Sequence, residues 1–317
     1  MRTITALFVG LGSIGTRHLK NLANLCADRG WTLQADALRS DLTRPLRPGV
    51  AELLHAQYTD PAAAPAHYDM VFITNPTSLH AEALRQVKGR GEALFIEKPI
   101  FSAEQTGLAL DQLLPAGQKA YVAAPMRWCG AMLALKDRLP ALHPYCARVI
   151  CSSYLPDWRP GVDYRTVYSA RKALGGGVTI DLIHEWDYLV ELFGVPEKLY
   201  NFKGTYSELE IDSDDLSVYI AKYPTLLAEV HLDYFGRGYR RSIELFCRDG
   251  SYLADFGKGT LTLPDGTVQH YEEDVNRRYE REMEYFVDYA LTGCGESCNP
   301  PALALKVLKL TLGENVQ

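Results

Sequence analysis

The chain has 317 residues, 47% of them hydrophobic, and carries 33 Lys+Arg against 39 Asp+Glu for a formal charge of −6. At roughly 100 to 200 residues per domain, this length predicts two domains. The acidic balance leaves no basic surplus to neutralise a phosphate backbone, so nucleic acid is not an expected partner.

No apolar run reaches the roughly 18 residues that cross a bilayer, so no membrane partner is expected. The start, MRTITALFVGLGS, runs into a glycine turn with no cleavage region, which predicts a cytoplasmic protein. Cys26, Cys129, Cys146, Cys151, Cys247, Cys294 and Cys298 are odd in number and dispersed. They read as reduced thiols rather than a disulfide framework. Cys294 and Cys298 are spaced like half a metal site, but no His or Cys cluster completes it, and no metal is expected.

The first third alternates short apolar runs with helical patterns. ITALFVG is followed by a helix with Leu19, Leu22 and Cys26 on one face, then by WTLQADAL, DMVFITN, EALFIEK and AYVAAPMR. This alternation predicts an α/β Rossmann domain, a doubly wound parallel sheet, over residues 1–123. From 124 to 317 strands follow strands: ARVICSSY, LSVYIAKY, LLAEVHLDYF, SIELFCRD, SYLADF and TLTL. Asp249-Gly250 and Asp265-Gly266 read as hairpin turns, so the second domain is predicted as α+β with a large, mostly antiparallel sheet. Two helices close the chain. One starts near Glu273 with Tyr279, Met283, Phe286, Val287 and Ala290 on a stripe. The other, after Pro301, is apolar on most sides and should be buried, packing back toward the first domain.

Gly10-Leu11-Gly12-Ser13-Ile14-Gly15 has G-x-G-x-x-G spacing between a strand and an amphipathic helix. The first glycine permits a tight turn, the second lets the backbone approach a pyrophosphate, and the third lets helix and strand pack closely. The helix start then offers the unpaired N–H groups around Ser13 and Ile14 to an anion. The second strand ends Ala37-Leu38-Arg39-Ser40-Asp41. Arg39 and Ser40, with Arg44 nearby, would hold a 2′-phosphate, whereas Asp36 or Asp41 would serve a ribose. NAD(P) is the expected cofactor, with the balance slightly toward NADP.

Two further segments follow strands and so reach a ligand crevice: Thr74-Asn75-Pro76-Thr77-Ser78-Leu79-His80 and Glu97-Lys98-Pro99. With these, the sequence resembles the Gfo/Idh/MocA family of NAD(P)-dependent oxidoreductases along nearly its whole length. That family acts mostly on sugars, sugar derivatives and cyclitols. The resemblance implies that Lys98 lies beside the reacting carbon, and that Asn75, Pro76 and His80 line the cofactor. A partly desolvated lysine there would hydrogen-bond an alcohol or carbonyl oxygen and move its proton, with Glu97 supporting it. His80 reads equally well as a surface cap of the next helix.

In the second region, Gly175-Gly176-Gly177 would let backbone approach ligand or cofactor, and a helix follows. Leu182, Trp186, Leu189 and Phe193 form its buried stripe, and Asp181, His184, Glu185 and Tyr188 fall together on the other side. A carboxylate one turn before an imidazole suits acid–base work. The family pattern places His four residues after the Asp. Here His184 stands third and Glu185 fourth, so Asp181 and His184 are the expected catalytic partners of Lys98, with Glu185 as second choice. Arg127, Trp158, Arg159, Tyr164 and Arg165 are candidate substrate contacts, since aromatic faces stack on sugars and guanidinium forks grip phosphate or carboxylate. They hint at an anionic substrate, a sugar acid or nucleotide sugar. His231, Asp233, Arg240 and Arg241 read as structural or interfacial, since the family's sheet commonly makes the subunit contact, implying a homodimer or homotetramer.

The expected activity is hydride transfer between nicotinamide and a secondary alcohol or ketone carbon of a small sugar-like molecule held in a cleft between the domains. One rival is a glycosidase-like elimination on tightly held NAD with no net redox change, which a cofactor surviving purification would favour. The other is a non-catalytic nucleotide-responsive regulator, against which the presence of Lys98, Asp181 and His184 argues.

Overall fold

Strands such as ITALFV and MVFI are apolar at nearly every position and are stable only where both faces are covered. The computed structural model describes residues 2–292 and 295–316. In it β1 (Thr3–Val9), β2 (Thr32–Leu38), β3 (Leu54–Tyr58), β4 (Tyr68–Ile73), β5 (Gly91–Ile96) and β6 (Lys119–Val122) form a sheet in the order β3-β2-β1-β4-β5-β6. Every pairing in it is parallel. Helices α1 (Ser13–Asp28), α2 (His80–Gln86) and α3 (Leu110–Leu113) lie in the connections. The strand order reverses at β1 and β4, the point beyond whose carboxyl ends such sheets bind ligands. Phe8 stacks on Phe72 with ring centres 4.4 Å apart, and Phe95 follows 5.3 Å from Phe72.

Next come α4 (Gly130–Arg138), β7 (Cys146–Tyr154), α5 (Val178–Asp181) and α6 (His184–Phe193). Seven strands follow: β8 (Lys198–Gly204), β9 (Leu216–Lys222), β10 (Leu227–Asp233), β11 (Phe235–Cys247), β12 (Gly250–Asp255), β13 (Thr260–Thr262) and β14 (Val268–His270). They join β7 in the order β14-β13-β12-β11-β7-β10-β9-β8, antiparallel except between β7 and β10. Both Asp-Gly pairs make the expected hairpins, with Gly250 at φ +128° and Gly266 at φ +84°, conformations that favour glycine. Alternation puts Ala147, Val149 and Cys151 of β7 and Ala228, Val230 and Leu232 of β10 on a buried face. Trp186 of α6 meets Tyr219 of β9 edge-on at 5.2 Å.

The chain closes with α7 (Val275–Thr292) and α8 (Pro301–Thr311). Two compact units result: Met1–Ala123 with Tyr279–Leu305, and Ala124–Arg278 with Lys306–Gln317. In the first, the predicted stripe of α7 is buried except at Tyr279, which is half-buried. Phe286 lies 5.4 Å from Phe72 and 5.1 Å from Phe95, and the Tyr121 hydroxyl donates to Glu282 Oε1 at 2.8 Å. In the second, Tyr219 donates to the Thr311 carbonyl at 2.6 Å. Three strands gave no signal in the sequence: β3, β8 and β14. Each is the edge of its sheet. Among the described residues no helix is long and apolar enough to cross a membrane.

Candidate active site

The glycine turn differs at each of its three positions. Gly10 follows β1 at φ +90°, and a Cβ there would stand 2.8 Å from Asn75 Cα. At Gly15, in the first turn of α1, a Cβ would meet the Gly10 carbonyl at 2.5 Å and Thr74 Oγ1 at 2.7 Å. Thr74 closes this packing by donating to the Gly10 carbonyl at 2.6 Å. Gly12 is the opposite case: it caps α1 with no side-chain bond, and a Cβ on it would meet nothing within 4 Å. Space therefore opens where the N–H groups of the first turn, at Ser13 and Ile14, have no intrahelical acceptor. Asn75 Oδ1 is buried beside this turn without a partner. An open cradle with an orphaned acceptor at its edge fits a dinucleotide.

At the end of β2, Arg39 donates to Gln57 Oε1 at 2.8 Å and to the Arg44 carbonyl. Arg39, Thr43, Arg44 and Arg47 line a hollow of about 450 Å³. Ser40 is exposed beside it. Of the two acids weighed for a ribose, Asp36 is buried within β2, bonded to Tyr68 Oη at 2.8 Å and His55 Nδ1 at 3.1 Å. Asp41 is held below the usual carboxylate range by the hydroxyl and N–H of Thr43, with Arg44 adding to them.

Glu97-Lys98-Pro99 follows β5, and the Lys98-Pro99 bond is cis. Glu97 is buried. Its carboxylate meets His18 Nε2 at 2.6 Å and accepts the Lys98 N–H at 3.0 Å. Burial would push this carboxyl up, but His18 and Lys98 outweigh it and hold it low. The Lys98 side chain is half-buried. His80 is not a surface cap: it is 1% exposed, with its ring between the carbonyls of Ile100 (3.1 Å) and Asn75 (3.0 Å). Burial lowers its pKa against the pull of those carbonyls. It therefore ties the segment after β4 to the one after β5, and Pro76 leads that first segment into a short turn at Thr77–Leu79.

In the second unit, the helix expected after the glycines is two, α5 and α6, with Leu182 and Ile183 between them. Two of the three glycines make room for protein, whereas a Cβ on Gly175, at φ +83°, would meet nothing within 4 Å. A Cβ on Gly176 would lie 2.0 Å from the Tyr168 carbonyl, and one on Gly177, at φ +132°, 2.3 Å from Asp214 Oδ1. Asp181 is buried and accepts from two phenols, Tyr168 and Tyr234, the latter at 2.5 Å. Burial together with the Asp181 charge raises both phenol pKa values. Asp181 and His184 line a cleft of about 520 Å³ with Ser153, Trp158, Tyr239 and Arg241. Glu185 lies fully buried behind it, ion-paired to Arg241 at 2.7 and 3.1 Å.

The other candidate contacts are dispersed. Trp158 lines the cleft, donates to Ser153 Oγ at 3.1 Å and meets Tyr234 edge-on at 5.2 Å. Arg127 is 3% exposed and bonded to Asp187 twice at 2.8 Å and to Glu191 at 2.6 Å, so it clamps α6 to the turn at Pro125–Trp128. Arg165 is paired with Asp163 and Glu210 at the surface. Arg159 and Tyr164 line a small hollow that shares Trp158 with the cleft. Sequence reasoning missed Tyr168 and Tyr234 as partners of Asp181. Arg241, expected to be structural or interfacial, has a structural role in its ion pair with Glu185, and alternation along β11 separates it from Arg240. Among the described residues no group of three or more His, Cys, Asp or Glu side chains could hold a metal ion. Cys294 lies outside the described residues.

The profile of the Gfo/Idh/MocA family, an oxidoreductase family with an NAD-binding Rossmann fold, matches residues 4–122. No curated protein matches the sequence. Solved structures resemble the chain over nearly its full length. An oxidoreductase from Agrobacterium radiobacter in complex with NAD+, L-tartaric acid and magnesium superposes with TM-score 0.80 at 17% identity, covering 98% of this chain and 95% of that one. UDP-N-acetylglucosamine 3-dehydrogenase from Acidithiobacillus ferrooxidans gives 0.73 at 19% identity, with 99% and 97% covered. Myo-inositol 2-dehydrogenase from Lactobacillus plantarum gives 0.76 at 19% identity, with 98% and 96% covered. Over residues 4–122 the chain is therefore similar to the Gfo/Idh/MocA oxidoreductases, with their NAD-binding Rossmann fold.

Proposed function

We propose that the protein transfers hydride between a nicotinamide dinucleotide and a secondary alcohol or ketone carbon of a sugar, sugar acid or nucleotide sugar. The observation that carries this reading is the placement of three features at the carboxyl ends of the neighbouring strands β1, β4 and β5: the open Gly12 turn, Thr74-Asn75 and Lys98. Relatives of the same fold act on UDP-N-acetylglucosamine and on myo-inositol, which supports a polyhydroxylated substrate.

In this reading the N–H groups at the start of α1 hold the pyrophosphate, and Arg39 with Arg44 and Arg47 holds a 2′-phosphate, favouring NADP. A bound nicotinamide ring supplies the site that takes or gives the hydride. Lys98 hydrogen-bonds the reacting oxygen, accepting its proton in the oxidising direction and returning it in the reducing one. His184, in the cleft of the second unit, is the second proton carrier in this reading. Asp181, fixed by Tyr168 and Tyr234, sets the charge of the cleft, and Trp158 offers a ring face to a sugar. The open face of the second sheet, with Tyr200, Phe202, Ile220 and Leu227 exposed along β8, β9 and β10, would pair with a second copy.

A panel of nucleotide sugars, sugar acids and inositols, assayed with NAD and NADP by nicotinamide absorbance, tests the activity. Lys98→Met is expected to bind dinucleotide and lose turnover. Turnover at the unmodified rate would remove Lys98 from the chemistry.

A further inference from the structure

His18 is an anomaly in its setting. It lies on the buried stripe of α1 with Gly15, Leu19, Leu22 and Cys26 and has no exposed surface. Its ring packs 4.6 Å from Phe95 and 6.0 Å from Tyr279. An imidazole placed among aromatic rings is unfavourable unless its polar atoms are bonded. One of them is: Nε2 meets Glu97 Oε1 at 2.6 Å. The other, Nδ1, is buried with no partner. A carboxylate can only accept, so Nε2 carries the proton of that bond, and Nδ1 stays in the core without a partner.

The second oxygen of Glu97 accepts the backbone N–H of Lys98 at 3.0 Å. One carboxylate therefore joins the core of α1 to the first peptide unit of the lysine segment. We propose that His18 is a positioning residue for the reaction: by holding Glu97 it fixes the direction in which Lys98 leaves β5. The same helix presents the open anion cradle at its N-terminus, so one rigid element sets both the dinucleotide and the lysine. Without the His18 donor, a buried carboxylate loses its charge-assisted bond and either takes up a proton or swings away. In both cases Lys98 loses a fixed backbone partner. The proposal rests on Lys98 being the proton carrier.

The test compares His18→Gln, whose amide nitrogen reaches about as far as Nε2, with His18→Asn, which is one bond shorter. Lys98→Met is measured in parallel. Hydrogen exchange of the peptide spanning residues 97–101 needs no substrate and reports the Glu97–Lys98 bond directly. In His18→Asn, exchange there should rise about tenfold or more, the scale of a lost hydrogen bond to a buried charge. On the best substrate of the panel its kcat should fall by a similar factor, with KM for the dinucleotide within about threefold, since the cradle itself is untouched. His18→Gln should recover most of both losses. Equal exchange and equal kcat in the two variants would overturn the proposal. So would Lys98→Met turning over normally, which fails the underlying reading whatever the His18 variants do. In the unmodified protein, ¹⁵N spectra of labelled histidine should show His18 protonated on Nε2, and a ring without that proton would also overturn it.

Discussion

The glycine turn separates folding from binding at positions three residues apart. Gly12→Ala adds a methyl group where nothing lies within 4 Å, at a backbone φ of −69° that alanine adopts freely. The chain-entropy gain of roughly 0.4–1 kcal/mol is offset by alanine being a poorer N-cap, by a similar amount, so stability should move by less than about 0.5 kcal/mol. Gly15→Ala is the contrary case. Its methyl would sit 2.5 Å from a carbonyl oxygen and 2.7 Å from Thr74 Oγ1, and one contact is backbone that cannot turn aside. Overpacking of this kind costs about 1–3 kcal/mol, a loss of about 2–12 °C in melting temperature for a unit of this size. Thermal melts with and without NAD or NADP, together with fluorescence titration of the reduced dinucleotide, separate the two. Gly12→Ala should melt like the unmodified protein and gain nothing from dinucleotide, because the methyl occupies the approach to the pyrophosphate. Gly15→Ala should melt early even without ligand. If Gly12→Ala binds dinucleotide normally, the cradle has been assigned to the wrong face of the turn.

Three other outcomes can be checked by simple means. Arg39→Ala should weaken NADP about tenfold or more and leave NAD nearly unchanged, since a phosphate loses a guanidinium partner and a ribose loses none; equal weakening of both would refute the 2′-phosphate assignment. Glu185→Ala leaves Arg241, 13% exposed at the cleft, without its partner, a loss of about 3 kcal/mol or less visible in melting, whereas replacing both by leucine and methionine should restore much of it. The Glu97 carboxyl is held below its unfolded value, so it contributes stability above the ordinary carboxylate range and loses it as pH falls through the lowered folded value. A pH series of melts should show this acid-side loss, and Glu97→Gln should flatten it.

What the sequence disclosed follows burial. Strands covered on both faces, such as β1, β4 and β5, announce themselves as apolar runs. At the sheet edges, β3 reads LHAQY and β8 reads KLYNFKG, alternations too polar to stand out. Glycine spacing and strand ends located the turn between β1 and α1 and the Glu97–Lys98 segment after β5. Side-chain partners were far less legible. Arg127 and Arg165 look alike in sequence, yet one is sealed in the core by Asp187 and Glu191 and the other sits at the surface with Asp163. Tyr168 and Tyr234 converge on Asp181 across 13 and 53 residues of chain. No periodicity reports such a meeting, because it depends on how β10, β11 and α5 stack.

The excursion of the polypeptide has a consequence for biosynthesis. Phe72, Phe95 and Tyr121 are complete within the first 123 residues, but the ring that caps them, Phe286, is translated more than 160 residues later. On the ribosome, the nascent nucleotide-binding lobe must wait, one greasy flank bare, until almost the whole message has been read. A gene truncated after codon 123 should therefore yield sticky, chaperone-dependent material, and splicing Tyr279–Leu305 back on through a short linker should restore solubility.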